Sequence, residues 1–313
     1  MGGSVDTRAE EEPAPEGPSG SGRDPARRLA LLEGWIGRQV DPLGRAWFRD
    51  ALAAVARADD PRALARSVAL VPRRLGKRDL VLTALDLQEA DEVRPGFDPL
   101  GLPLDQAARI ALLLASYRDP ASFAQAIEAL CRTADLGEFI AIYRGLALFP
   151  APELLVGRAA EGVRSGIKPV FEAVAHRNPY PAEMFDRSTW NQMVLKALFI
   201  DSELAPIQRL DERANPELAA ILVDYAHERW SAGRSVSPEL WRCVGPFADQ
   251  RALYDLEGVL ETGTATERSA AALALSASNN PEARAVLGRY PDLEAEVISG
   301  RLDWASIGAK GPT

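Results

Sequence analysis

The sequence predicts an all-α fold, in the form of a right-handed stack of antiparallel helix pairs (a HEAT-like α-solenoid). The strong helix formers Ala, Leu, Arg and Glu dominate the chain, and β-branched alternation is nearly absent. Proline also recurs directly after Asp, Asn or Ser at intervals of helix length, which is typical of a capped helix start. We therefore expect many short helices joined by tight turns.

The first third of the chain is predicted to hold a tail and a helical cap. Residues 1–24 are rich in Pro, Gly and Glu and lack the apolar segment of a secretory signal, so they predict a disordered tail. Residues 25–95 form the predicted N-terminal cap, whose helices begin at the Asp-Pro pairs. The glycines and prolines of residues 94–103 mark the clearest internal break.

Residues 96–308 are predicted to form a helical-repeat domain. Asp119, Ser237 and Asn280 each precede a proline and predict further helix starts. The stretch 152–177 fits a helix pair, broken at Ser165 and Gly166. The clearest repeat signal is at residues 266–287, where a helix of small residues, an Asn-Pro-Glu turn and a short second helix follow each other as in HEAT-like repeats.

Composition restricts the classes of function. The net charge of −9 argues against general binding of nucleic acid or of anionic membranes, since both depend on clustered Lys and Arg. No apolar run approaches the ~20 residues that span a bilayer, so we expect a cytoplasmic protein without a transmembrane segment. Cys131 and Cys243 are isolated in the sequence and predict buried free thiols.

A segment rich in aromatic and polar residues is the candidate ligand or partner surface. Both histidines and three of the six tryptophans of the chain lie between residues 176 and 242. The predicted surface residues are His176, Asn178, Tyr180, Trp190, Asn191, Gln192, Lys196, Asp224, His227, Glu228, Trp241 and Arg242. No catalytic residue, metal ligand or cofactor is predicted, because no phosphate loop, nucleophile elbow or metal-binding spacing occurs.

Two parts of this segment allow both a structural and a functional interpretation. Asn178-Pro179-Tyr180-Pro181 predicts a rigid non-helical linker, which either sets the angle between helix pairs or presents Tyr180 and His176 beside a groove. The following helix has an apolar face predicted to pack inward, formed by Trp190, Met193, Val194 and Ala197. Gln192, Lys196 and the neighbouring Asn191 either fix the geometry between helices or contact a ligand.

Asp224, His227 and Glu228 form the nearest approach to a catalytic or metal cluster. Their spacing of three and four residues predicts one side of a helix. The favoured interpretation is that Asp224 accepts a hydrogen bond from the His227 imidazole, which then bridges two helices. The alternative is that His227 acts as a general base, because an imidazole titrates near neutral pH.

The same segments resemble the EboA-domain family over residues 35–247. The matching strings are DQAAR at 105–109, TAD at 133–135 with Glu138, Tyr143 and Arg144, NPYP at 178–181, WNQMVLKA at 190–197, DYAHER at 224–229 and PELWR at 238–242. The resemblance implies a place in bacterial gene clusters that also encode a UbiA-like membrane prenyltransferase, a TatD-like metal hydrolase and a sugar-phosphate-isomerase-like barrel. Such clusters are associated with making or moving a small prenylated metabolite. The resemblance to this family implies no catalytic residues.

From these observations we expect a non-catalytic accessory or scaffold protein of an Ebo-type cluster. Its partner would be another protein of that cluster or the small-molecule product, bound along a concave face of the repeat stack. The alternative is an enzyme or small-molecule carrier with a polar pocket around residues 176–242.

Overall fold

The computed structural model describes residues 24–57 and 61–308, and helices are the only regular elements of these residues. The predicted disordered tail lies almost entirely outside the described residues. The α-helices are α1 Pro25–Gln39, α2 Pro42–Arg57, α3 Pro61–Leu75, α4 Ala84–Val93, α5 Leu104–Ala115, α6 Pro120–Cys131, α7 Leu136–Gly145, α8 Val156–Arg164, α9 Lys168–Ala175, α10 Tyr180–Met184, α11 Arg187–Phe199, α12 Pro216–Ser231, α13 Leu240–Val244, α14 Gln250–Thr262, α15 Ala265–Ser276, α16 Pro281–Leu287, α17 Pro291–Ile298 and α18 Trp304–Gly308. Short 3-10 helices cover Pro152–Leu155 and Gly245–Phe247. The all-α prediction is confirmed.

Side-chain caps explain where many helices begin. The carboxylate of Asp24 accepts a hydrogen bond from the backbone N–H of Ala26, and Asp119 caps α6 in the same way. Asn280 likewise caps α16. At Ser237-Pro238 the prediction is displaced: a turn intervenes and α13 begins at Leu240.

The buried apolar side chains form a continuous core that runs through the described chain from Leu31 to Ile307. In the N-terminal part of this core, helix α5 lies at the centre and packs against α1, α2, α3 and α7. In the C-terminal part, α15 lies at the centre and packs against α13, α14, α16, α17 and α18. Cys131 and Cys243 are buried free thiols, as predicted. Burial raises the pKa of the Cys131 thiol to about 11, so this thiol stays protonated at neutral pH.

Helices α11 and α12 are not joined by a tight turn. The amides of Asn191 and Asn215 meet near the start of both helices, and Tyr225 of α12 donates to the carbonyl of Leu198 near the end of α11. The two helices therefore run in the same sense, because these contacts follow the same order along each helix. Residues 200–215, which contain no helix, carry the chain back.

Helix α8 ends on the same side as α11. The Lys168 ammonium, just after the α8–α9 turn, donates to the carbonyl of Asp201, just after α11, at 2.6 Å. Because α8 also packs against α11, the C-terminal ends of α8, α11 and α12 point toward one side of the molecule. This arrangement leaves a groove among the three helices.

Candidate functional site

The groove among α8, α11 and α12 has a volume of about 480 Å³. Each helix lines it with residues spaced three or four apart, so one stripe of each helix faces the space. The lining residues are Ala160, Val163 and Arg164 of α8, Thr189, Gln192, Leu195, Lys196 and Phe199 of α11, Tyr225, Glu228, Arg229 and Ala232 at the end of α12, and Arg234. The volume lies in the range of pockets that hold small organic molecules, roughly 300–1,000 Å³.

Most of the lining surface of the groove is apolar. Val163, Leu195 and Phe199 contribute to it, and Phe199 is exposed over 67% of its surface. The Lys196 ammonium lies 5.5 Å from the centroid of the Phe199 ring, within range of a cation–π interaction. A large aromatic side chain this exposed loses the hydrophobic stabilisation that burial would give it, so it is suited to contact with an apolar ligand.

A fixed turn places Arg234 at the groove. Gly233 adopts a positive φ of 67°, which costs least for glycine, and ends α12 in a left-handed cap. The backbone N–H of Arg234 then donates to the carbonyl of Arg229, and the Arg229 guanidinium donates to the carbonyl of Ser235. These bonds hold residues 233–235 against the last turn of α12.

Of the twelve predicted surface residues, the structure brings Gln192, Lys196 and Glu228 together in this groove. Tyr225 and Arg229, which belong to the motif around His227, line it as well. Burial raises the pKa of the Tyr225 phenol, which stays protonated and donates to the Leu198 carbonyl at 3.4 Å. The other nine predicted residues lie outside the groove.

Asn191 precedes the groove residue Gln192 and joins α11 to α12. Its side chain is 2% exposed, and its amide exchanges hydrogen bonds with the Asn215 amide at 2.9 and 3.3 Å. The side-chain Oδ1 of Asn215 also accepts from the backbone N–H of Leu218 and so caps α12. This pair therefore sets how α12 begins relative to α11.

The segment around Asn178 is tightly bonded and corrects one prediction. Instead of a wholly non-helical linker, its two prolines open the short helix α10 at Tyr180. The Asn178 amide donates to the carbonyls of Tyr143 and Ala173. The Tyr180 hydroxyl, 1% exposed as a residue, donates to the carbonyl of Pro152 at 2.5 Å.

His176 contacts the segment of residues 200–215. Its Nε2 is 2.9 Å from the carbonyl oxygen of Glu203 and 3.2 Å from the hydroxyl of Ser202, which itself donates to the Glu172 carboxylate. The carboxylate thus contacts the serine and not the imidazole, so the three groups do not form a serine–histidine–carboxylate relay.

The predicted hydrogen bond between Asp224 and His227 is wrong. His227 Nε2 lies 2.8 Å from the buried carboxylate of Asp255 on α14, and Asp224 pairs with Arg251 instead. The Arg251 guanidinium also lies 3.1 Å from His227 Nδ1. Because a carboxylate accepts and a guanidinium donates, the imidazole proton is placed on Nε2. The imidazole does bridge two helices, as predicted, but its partner is on α14. The spacing of residues within α12 cannot predict a partner on another helix.

The remaining predicted residues take part in packing. Trp190 and Trp241 are almost fully buried, with Arg213 stacked 4.8 Å over the Trp190 ring. Arg242 donates twice to the Asp211 carboxylate, at 2.6 and 2.7 Å. Within residues 24–57 and 61–308 no three His, Cys, Asp or Glu side chains gather as a metal site.

Sequence reasoning missed most of the groove. Arg164, Leu195, Phe199 and Arg234 were not predicted as site residues. One usable signal was present, since Leu195 and Phe199 are apolar and lie one turn apart, off the inward face of α11. Nothing local in the sequence of α8 shows that it would face this stripe.

Comparison with known proteins places the chain in a family. The family model described as "Metabolite traffic protein EboA" matches residues 28–245, more than half of the 313 residues. The chain belongs to the EboA family. The resemblance found in the sequence motifs is thereby confirmed, and all residues of the groove fall within the matched span. No curated protein and no solved structure matches the chain. None of the described helices combines the length and apolar character needed to cross a membrane.

Proposed function

We propose that this EboA-family protein is a non-catalytic accessory protein that holds a small metabolite in the groove among α8, α11 and α12. The observation that carries the proposal is the groove itself, an open space whose lining is mostly apolar and includes several polar and charged side chains. An exposed apolar surface of this kind binds ligands through hydrophobic burial, and the few polar groups orient them.

The family name supports the same assignment, because metabolite traffic requires a protein that binds a compound and releases it. The finer parts of the proposal rest on the resemblance. These are that the cargo is a prenylated metabolite and that the partner is another protein of the same gene cluster. The proposal that the helix pairs form a HEAT-like stack serving as a scaffold is supported instead by the repeat pattern of residues 266–287. An apolar isoprenoid chain would lie along Leu195 and Phe199.

A blocking variant tests this function directly. Ala232 lines the groove and is exposed, so Ala232→Trp adds an indole to the groove without disturbing the core. Ala54 is also an exposed alanine, on α2 outside the groove, and Ala54→Trp is the matched control.

Binding of the neutral dye Nile red, followed by its fluorescence, is the measurement. We expect the wild-type protein and Ala54→Trp to bind the dye alike, and Ala232→Trp to bind about tenfold more weakly, a change of about 1.4 kcal/mol in binding free energy. Equal binding by all three proteins would show that the groove is not the apolar site. Extracts of the native host then serve as competitors, with bound compounds identified by mass spectrometry.

A further inference from the structure

The charge of the groove is opposite to that of the whole chain. The protein carries a net charge of −9, yet the groove is lined by four cations and a single carboxylate. The cations are Arg164, Lys196, Arg229 and Arg234, and the carboxylate is Glu228. An acidic protein that gathers cations around an apolar space creates a local field that attracts anions.

No acidic side chain of the described residues forms an ion pair with these cations. Across the described parts of the chain, none of the four forms an ion pair, and the guanidinium groups of Arg164 and Arg234 form no hydrogen bond. Arg229 is bonded only to a backbone carbonyl, and Lys196 lies over Phe199. Two arginine side chains beside the groove therefore keep their donors available.

Compensation of helix dipoles accounts for only part of this charge. Arg164, Lys196 and Arg229 lie in the last turns of α8, α11 and α12. Each helix end carries about half a negative charge, so three ends contribute roughly −1.5. Four cations and one carboxylate sum to about +3, so the end of the groove remains positive after the dipoles are counted.

We propose that the ligand of this groove is an anionic amphiphile, with an oxyanion, carboxylate or phosphate, held by Arg164 and Arg234, and with an apolar body along Leu195 and Phe199. This inference rests on the proposed binding function and adds the chemical class of the ligand. A guanidinium donates two parallel hydrogen bonds to an oxyanion, which a neutral head group cannot match.

The test compares three ligands with the same ten-carbon chain, decanol, decanoate and decyl phosphate, as competitors of Nile red. The variant is Arg164→Gln/Arg234→Gln, which removes both positive charges and keeps polar side chains. The matched control is Arg27→Gln/Arg284→Gln, which changes two exposed arginines outside the groove.

We expect decanoate and decyl phosphate to compete about three- to tenfold better than decanol at low salt, with the advantage shrinking as salt screens the cations. In the groove variant the two anions should compete no better than decanol, whereas the control variant should behave as wild type. The anion for which the advantage is larger identifies the head group.

The competition and dye-binding results distinguish a failure of the anionic assignment from a failure of the binding function. Equal competition by decanol and both anions, in wild type and variant alike, would overturn the anionic assignment and leave the binding function standing. If Nile red fails to bind the wild-type protein, or binds Ala232→Trp as well as wild type, the proposed function itself is wrong.

Discussion

Helices α5 and α11 are of similar length and are both rich in apolar residues, yet their surroundings differ. Ten of the 12 residues of α5 are buried, because α1, α2, α3 and α7 cover it on all sides. Only six of the 13 residues of α11 are buried, and a second apolar stripe with Leu195 and Phe199 faces the groove. In α5 the apolar residues stabilise the fold, whereas in α11 some of them line an open groove.

The largest expected effect separates these two uses of apolar residues. Leu112 of α5 is fully buried, so Leu112→Ala should lower the free energy of unfolding by about 2–5 kcal/mol. Phe199→Ala on α11 should change it by less than about 0.5 kcal/mol, since surface substitutions have small effects. Denaturant unfolding measures both.

Nile red binding should show the reverse order. Phe199→Ala removes part of the groove and should weaken dye binding, while Leu112→Ala leaves the groove residues in place and should bind normally at temperatures where it is folded. If Phe199→Ala destabilised the protein as much as Leu112→Ala, the Phe199 side chain would have to be covered in solution and the comparison would fail.

A smaller effect is expected on the side of α12 that faces away from the groove. His227→Ala leaves the Asp255 carboxylate, 8% exposed as a residue, without its imidazole partner, and should lower the free energy of unfolding by about 1–3 kcal/mol. His227→Gln retains an N–H donor and should recover part of the loss. Thermal unfolding measures both variants.

Dye binding is the control for His227, because its side chain does not line the groove. We expect His227→Ala to bind Nile red like the wild type. If His227→Ala instead bound Nile red more weakly with an unchanged melting temperature, His227 would have a role in binding and the ligand would contact the α12–α14 interface.

The sequence predicted the elements of this fold well because helix starts are local. Asp24-Pro25, Asp119-Pro120 and Asn280-Pro281 each open a helix with a side-chain cap, and both partners of such a cap lie within three residues. The inward face of α11 was also predicted correctly, since Trp190 and Met193 follow helical periodicity and are fully buried.

The site was harder to predict because it depends on contacts between distant parts of the chain. His227 finds its partner in Asp255, 28 residues later, and the α8 side of the groove meets α11 through packing. The parallel course of α11 and α12 depends on the irregular segment 200–215, whose path no periodic pattern encodes. Of the predicted surface residues, residue type alone therefore identified Gln192, Lys196 and Glu228 of the groove lining and missed the other side chains.

The hydrogen-bonded pair of Asn191 and Asn215 gives the next largest effect. Asn191→Ala removes the partner of Asn215 and should lower the free energy of unfolding by about 1–2 kcal/mol, since a buried amide loses its hydrogen bonds. Because the pair fixes the start of α12 against α11, dye binding should weaken as well. Gln192→Ala, an exposed neighbour that lines the groove, is the matched control and should affect binding without affecting stability.

The smallest expected effect is a pH dependence carried by His176, which lies outside the groove. Burial lowers the pKa of its imidazole below the ordinary 6.5, against the opposing influence of the Glu172 carboxylate and with a small further lowering from Lys168. The neutral ring is the form that the folded protein favours, with Nε2 donating to the Glu203 carbonyl.

The sign of the effect follows from proton uptake. Below pH 6.5 the unfolded chain binds a proton at His176 that the folded chain resists, so the unfolded state binds more protons and stability falls as the pH falls. His176→Gln keeps a donor for the Glu203 carbonyl but does not titrate, so the loss of stability between pH 7 and pH 5 should be smaller in the variant. Urea unfolding at several pH values measures the difference, and parallel slopes for both proteins would contradict the assignment. Binding of the neutral dye by the variant should match the wild type throughout, because the groove and the His176 contact are separate parts of the molecule.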